Sequence, residues 1–258
     1  MTAEEARSTA ARERPILLHA AGSLRAAFEQ LLPAFERAHG QEVQATFGPA
    51  GLLRERIERG EPADLFASAN MAHPNRLFEL GLFDQPVCFA RNRICVLARR
   101  DLGLTTENLV DKLLDPAVKL GTSTPQADPS GDYAQTVFER IDLRRPGAGA
   151  VLKDKARHLV GGAEPPAVPK GRIAAEWLIA TGEADVFLSY WTSALPLAGN
   201  ASLAVIELPP QYSVVAEYGL AAAMEAAAAA FALKRFIRST ESWEILRSNG
   251  FMPPIACT

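Results

Sequence analysis

The chain has 258 residues, 48% of them hydrophobic and 22% charged, with a net charge of −3. That length and balance predict a soluble globular protein of one large domain or two smaller ones. They offer no basic field for nucleic acid, and the longest apolar run, Ala221 to Phe231, is mostly alanine broken by Glu225, with no membrane-spanning pattern.

The opening "MTAEEARSTAARER" is polar and lacks the apolar stretch of a secretory signal, so residues 1–14 read as a disordered lead-in. From Pro15 onward short apolar runs alternate with amphipathic segments. Ile16–Ala20 predicts a strand and Leu24–Ala38 a helix, which Pro33 should kink or divide and Gly40 should end. Val43–Phe47 predicts a strand, Leu52–Arg59 a helix closed by Gly60, and Asp64–Ser68 a third strand. After "HPNRLFELGLF", the segment "PVCFARNRICVLAR" is long enough for an extended strand crossing between two lobes. Lys119–Thr122 predicts a strand and Tyr133–Ile141 a helix; the loop "GGAEPPAVPKG" then leads to a helix over Ile173–Thr181. Asp185–Tyr190 and Ala204–Leu208 read as strands, Val214–Ala221 as a return crossing, and two helices close the chain. Alternating strands and helices predict an α/β protein with mainly parallel sheets.

Three loops in this pattern share one chemistry. "AAGS" (Ala20 to Ser23), "FGPAG" (Phe47 to Gly51) and "GTSTPQADPSGDY" (Gly121 to Tyr133) each follow a strand, consist largely of small residues and open a helix. A helix N-terminus exposes unpaired N–H groups and carries roughly half a positive charge. Small side chains let a ligand approach those donors, which makes a site for an anion without lysine or arginine. Each loop alone has a local explanation: Ser23 as a helix cap worth about 1 kcal/mol, Gly48 and Gly51 as turn glycines. Their recurrence favours a binding site, and the third loop, with four aliphatic hydroxyls and two glycines, is the most informative.

Other candidates are weaker. The three cysteines, Cys88, Cys95 and Cys257, and the four histidines, His19, His39, His73 and His158, show no metal-ligand spacing. Cys88 and Cys95 read as small core residues and His19 as a packed histidine. No nucleophile elbow, phosphate loop or dinucleotide fingerprint occurs, so no enzyme and no cofactor are expected. An enzymatic alternative would have to place Asp128, Asp132 or His19 in proton transfer.

At these loops the sequence resembles the molybdate-binding component of molybdate ABC transporters, the ModA family. The segments carrying the likeness are "AAGSLRAAFEQLLPAFERAHGQEV", "FGPAGLLRERIERGEPADLFASAN", "GEADVFLSYWTSA" and "WEILRSNGF", of which the second is the most specific. The resemblance implies a bilobal type II periplasmic-binding-protein fold, two Rossmann-like α/β lobes joined by a two-segment hinge. Residues 15–90 with 212–258 would form one lobe and 91–211 the other. It also implies a tetrahedral oxyanion ligand, molybdate or tungstate, a membrane ABC permease as partner, a monomeric state and a periplasmic location. With no signal peptide in the sequence, a cytoplasmic sensor or storage role is the alternative.

Carried over by position, Ser23 and Tyr190 would donate from side chains, and Ala50 and Ser130 through backbone N–H. Gly22, Gly51, Ser123, Asp128 and Arg172 are secondary candidates. Ala50 stands where the family has a serine, removing a donor worth about 1–3 kcal/mol unless replaced; Thr122, Ser123 or Thr124 could replace it. Asp128 reads mainly as a helix cap. Turned inward, it would accept a proton from hydrogen phosphate, whereas molybdate, tungstate and sulfate offer only acceptors. Sulfate, phosphate and small organic acids are therefore the alternative ligands.

Overall fold

The computed structural model describes residues 14–254 except 163 and 170. The chain begins β1 (Ile16–Ala21), α1 (Arg25–His39), β2 (Val43–Gly48), α2 (Ala50–Glu58), β3 (Leu65–Ser68) and α3 (Ala72–Glu79). It continues through β4 (Val87–Arg99), α4 (Leu109–Leu114), β5 (Leu120–Ser123), α5 (Pro129–Asp142), α6 (Ala148–Lys155) and β6 (Arg157–Val160). α7 (Ala174–Ala180), β7 (Val186–Tyr190), α8 (Trp191–Ala194), β8 (Leu203–Glu207), β9 (Val215–Ala222), α9 (Ala228–Ile237) and α10 (Thr240–Ser248) complete it.

Helical spacing explains α1. Ala27, Phe28, Leu31, Leu32 and Phe35 recur at three- and four-residue steps and are all buried. Gly40 ends the helix in a left-handed conformation, φ 69°, donating its N–H to the Glu36 carbonyl at 2.8 Å. Pro33 does not divide α1: the ring removes one N–H, but Leu31, Leu32 and Phe35 hold both sides to one core. The expected helix in the third loop starts earlier than its apolar pattern, at Pro129, because Asp128 caps it and proline suits the first helical position. α4, α6 and β6 were not anticipated; each is short, and its apolar residues are too few to reveal a period.

Nine strands form one curled, mixed sheet in the order β2-β1-β3-β9-β4-β7-β5-β6, with β8 also paired to β4. Four pairings are parallel, β1 with β2 and β3, and β5 with β6 and β7. Four are antiparallel and all involve β4 or β9. The expectation of mainly parallel sheets thus holds for the heart of each half and fails for the strands between them. β4 is the expected crossing strand: Val87 to Arg93 pair with β9, Ile94 to Ala98 with β7, and Cys95 to Arg99 with β8. The chain returns between β8 and β9. This is the bilobal α/β architecture.

One hydrophobic cluster runs through both halves, and a smaller one around Leu97, Leu178 and Phe187 lies under α7. Cys95 is fully buried, its thiol pushed up to about 12 by burial, and Cys88 is half-buried; both are free. Cys257 lies outside the described residues, as do residues 1–13 of the expected lead-in. Arg14, the last residue of that lead-in, is held: its guanidinium donates to both oxygens of Asp64, each at 2.7 Å.

Acid should loosen this fold through His73. Its imidazole is buried on α3, its Nε2 has no partner among the described residues, and burial, with Arg54 nearby, lowers its pKa from 6.5 to about 4. The unfolded chain takes up that proton first, so stability from this group is complete above pH 6.5 and is lost as pH falls through about 4. Thermal unfolding followed from pH 7 to 4 is expected to show this decline, and His73→Gln to flatten it.

Candidate functional site

Parallel pairing decides where the site forms. The β1–β2 register sets Ala21 beside Gly48, so the loops leaving those two strands emerge together. In the other half β5 lies parallel to β7, and the loops after Ser123 and Tyr190 emerge on one side. Carboxyl ends of parallel strands are where open α/β sheets bind ligands. Between the two sets of loops lies a cavity of about 300 Å³.

Gly22, Ser23, Ala50, Ser123, Asp128, Ser130 and Tyr190 all line that cavity. Gly22 and Ser23 sit on the turn from β1 into α1, where a side chain on residue 22 would come no nearer than 3.9 Å to Gly48. Ala50 is the first residue of α2, so no carbonyl of its own helix can take its N–H. Tyr190 ends β7 and precedes α8. Its ring is buried, edge-on to Tyr133 and Tyr218, and its hydroxyl finds no hydrogen-bond partner among the described residues. Burial, with Tyr218 and Asp128 nearby, raises its pKa well above 10, so it remains an O–H donor.

Two secondary candidates lie elsewhere. Arg172 is exposed, ion-paired with Glu176 and stacked near Trp177, and does not line the cavity. Gly51 gives its N–H to the Ala127 carbonyl at 2.9 Å, a contact between the two halves. It is tight: a Cβ on Gly51 would fall 2.1 Å from the Gln126 carbonyl oxygen. A second bridge runs from the Tyr133 hydroxyl to the Ala69 carbonyl, 3.2 Å.

The third loop departs most from expectation. Asp128 caps α5 by accepting the Ser130 N–H at 3.1 Å, so the donor that the resemblance assigned to an anion is already bonded to a side chain. Burial is the largest influence on Asp128 and raises its pKa, with Asp132 reinforcing; the Ser130 N–H and the nearby Ser123 hydroxyl oppose. Thr124 donates to the Val160 carbonyl at 3.1 Å, and Thr122 is buried away from the cavity, so neither replaces the hydroxyl missing at Ala50. Asp132 accepts the N–H of Gln126 at 2.8 Å, a residue held at φ 68°, and so shapes the loop from outside. His19 is buried, with Nε2 2.9 Å from Glu61, and does not line the cavity.

Sequence reasoning missed several wall residues. Arg25 sits at the mouth over Phe47, 4.6 Å from the ring centroid. Ser193 lines the wall three residues after Tyr190, one turn along α8, which the "YWTS" run could have signalled. Phe187, Val160 and Ile173 add apolar surface. Behind the wall, Tyr218 bonds Ser23 at 2.8 Å; it lies in the return strand, where it reads as core. Among the described residues no cluster of three metal-ligating side chains occurs. A larger groove, about 750 Å³, lies between Arg99–Asp101 and Asn200–Leu203, but its arginines are bonded to Asp101, Asp185 and nearby carbonyls.

The chain is 40% identical over 236 residues to an uncharacterized protein of Pasteurella multocida, covering 91% of this chain and 97% of that one. It is 25% identical over 254 residues to the molybdate-binding protein ModA of Mycobacterium tuberculosis, covering 93% and 85%. Among solved structures, the periplasmic molybdate-binding protein of Azotobacter vinelandii superposes with a TM-score of 0.71 at 18% identity, over 93% of this chain and 99% of that one. The sulfate-binding protein SubI of Mycobacterium tuberculosis gives 0.76 at 19% identity, over 95% and 88%. These structures share the periplasmic-binding-protein fold, and no helix among the described residues is long and apolar enough to cross a membrane. The bacterial extracellular solute-binding protein model matches residues 16–252, and the chain belongs to that family.

Proposed function

We propose that this protein captures a tetrahedral oxyanion, molybdate or tungstate, in the cleft and delivers it to an ABC permease from the periplasmic side of the membrane. The observation that carries this reading is the Tyr190 hydroxyl, a buried donor with no partner among the described residues, in a cavity where helix N-termini meet. Left unsatisfied, such a group costs about 1–3 kcal/mol; an oxyanion acceptor removes that cost. Ser23 and Tyr190 donate from their hydroxyls and Ala50 from its N–H. Ser130 contributes from its place on the wall. The name of the mycobacterial relative supports the choice of ion.

Residues 15–90 with 212–258 and residues 91–211 act as the two lobes, closing about β4 and the return into β9. Ligand shifts the population toward the closed form because only that form presents both sets of donors. A second reading keeps the fold and changes the ligand. The cavity volume, about 300 Å³, is at the lower end of the roughly 300–1,000 Å³ range of small organic ligand sites. With Phe187, Val160 and Ile173 on its wall and Asp128 able to accept a proton, it also suits a small organic acid or hydrogen phosphate.

Isothermal titration of dialysed protein with molybdate, tungstate, sulfate, phosphate and small organic acids separates the two. Tight one-to-one heat with molybdate and tungstate, and none with phosphate, is expected; the converse pattern selects the second reading. Ser23→Ala and Tyr190→Phe are each expected to weaken molybdate about tenfold, roughly one hydrogen bond to a charged ligand. If both leave affinity unchanged, the site assignment is wrong. Asp128→Asn, which keeps the cap and removes a like charge, should tighten molybdate by about tenfold at neutral pH and weaken any ligand that brings a proton. Gly51→Ala should hold the halves apart, since its methyl meets the Gln126 carbonyl; small-angle scattering with ligand should then give a larger radius than wild type.

A further inference from the structure

We infer that Asn92 and Tyr218 are positioning residues that make Ser23 an obligate hydrogen-bond donor into the cleft, an inference that rests on the cleft being the binding site. Neither residue lines the cavity, and both are fully buried where the chain crosses between the halves. Asn92 lies on β4 opposite Ala216, two residues before the point where β4 turns to pair Ile94 with Tyr190. Tyr218 lies on β9.

Proton accounting gives the chain its direction. The Asn92 Oδ1 accepts the Arg93 N–H at 2.9 Å, which fixes the amide and turns its NH₂ inward. That NH₂ has two hydrogens and two acceptors, the Thr192 hydroxyl at 2.9 Å and the Tyr218 hydroxyl at 3.2 Å. Tyr218 therefore receives a hydrogen bond from Asn92, and its one proton has a single acceptor among the described residues, the Ser23 Oγ at 2.8 Å. If Ser23 donated to Tyr218 instead, the Tyr218 proton would be buried with no acceptor, a cost of about 1–3 kcal/mol. With Tyr218 donating, every buried hydrogen in the chain has an acceptor, and Ser23's own O–H is released toward the cavity.

A fully deprotonated oxyanion has only acceptors, so a serine that presents a lone pair would repel it. The Asn92–Tyr218 pair removes that option before the ligand arrives. The same amide also holds Thr192, two residues after Tyr190, so one side chain on the crossing strand braces the supports of both hydroxyl donors. Tyr218 is thus more than a packed ring, although Phe89, Tyr190 and Phe251 surround it edge-on.

Tyr218→Phe removes the hydroxyl and keeps the ring. Wild type, Tyr218→Phe, Ser23→Ala and the double variant are titrated with molybdate, tungstate, sulfate and phosphate, and the tightest-binding ion is compared across all four proteins. Tyr218→Phe is expected to lose about tenfold, and the double variant to bind no more weakly than Ser23→Ala, because Tyr218 acts only through Ser23. Losses that multiply would overturn the inference, since a purely structural role for Tyr218 weakens binding independently of Ser23. Should none of the ions bind, the ligand reading fails by itself. Crystal structures of the unliganded wild type and Tyr218→Phe then decide the orientation: a Ser23 side chain released to other rotamers supports it, and an unchanged one rejects it.

Discussion

A parallel strand cannot turn back on its neighbour, so its loop must leave at the carboxyl edge and climb into a helix. Everything in the cleft depends on that constraint. β1 and β2 end side by side, β5 and β7 do the same, and each of these strands delivers its chain to the cleft. α1, α2 and α5 begin there with donors that no helix of their own can satisfy. On the proposed reading, an anion is recognised there without a lysine or arginine, because the donors are largely main-chain groups and small hydroxyls.

The crossing strands add the second condition. β4 belongs to both halves through its pairings, and among the described residues the chain returns on the way into β9. On the proposed reading, motion of the halves concentrates in these two short segments while each parallel core stays intact. Contacts between the cleft loops include the Gly51 N–H to Ala127 and the Tyr133 hydroxyl to Ala69. Each is worth roughly 0.5–1.5 kcal/mol net, which on the proposed reading suits a closed form that a ligand helps to hold. Glycine at 51 is required by space: the Gln126 carbonyl occupies the place a methyl would need.

Most of the fold was legible in the sequence because its elements are periodic or bounded by strong signals. α1 carries five buried residues at helical spacing, Gly40 marks its end, and the thirteen residues of β4 are too long for one half-sheet. Short elements such as α4 and β6 were not legible, since six residues hold less than two helical periods and four hold only two strand periods. Of the site, the loops that meet could be read from small residues before helices, and Gly22, Ser23, Ala50, Ser123, Asp128, Ser130 and Tyr190 do share one cavity. Hydrogen-bond allegiance could not be read. Arg172 takes Glu176, Gly51 takes Ala127 and the Ser130 N–H takes Asp128, choices made by distances that only the folded chain sets. Tyr218 was hidden for the same reason, as an aromatic in an apolar strand looks like core until its hydroxyl is traced.

Asp128 shows how such allegiance shapes the cavity wall. The N-terminus of α5 favours negative charge, and Asp128 places its own carboxyl there, so the chain supplies an internal occupant where an external anion could bind. Burial makes the charged form of that carboxyl costly, while the Ser130 N–H and the Ser123 hydroxyl stabilise it. The two forms of that carboxyl differ in hydrogen-bonding character: the carboxylate only accepts, whereas the protonated acid also donates. Ser23, fixed as a donor from behind, and Tyr190, held neutral by burial, have no such freedom. On the proposed reading, selectivity turns on Asp128, whose carboxyl shares the cavity wall with both of these donors.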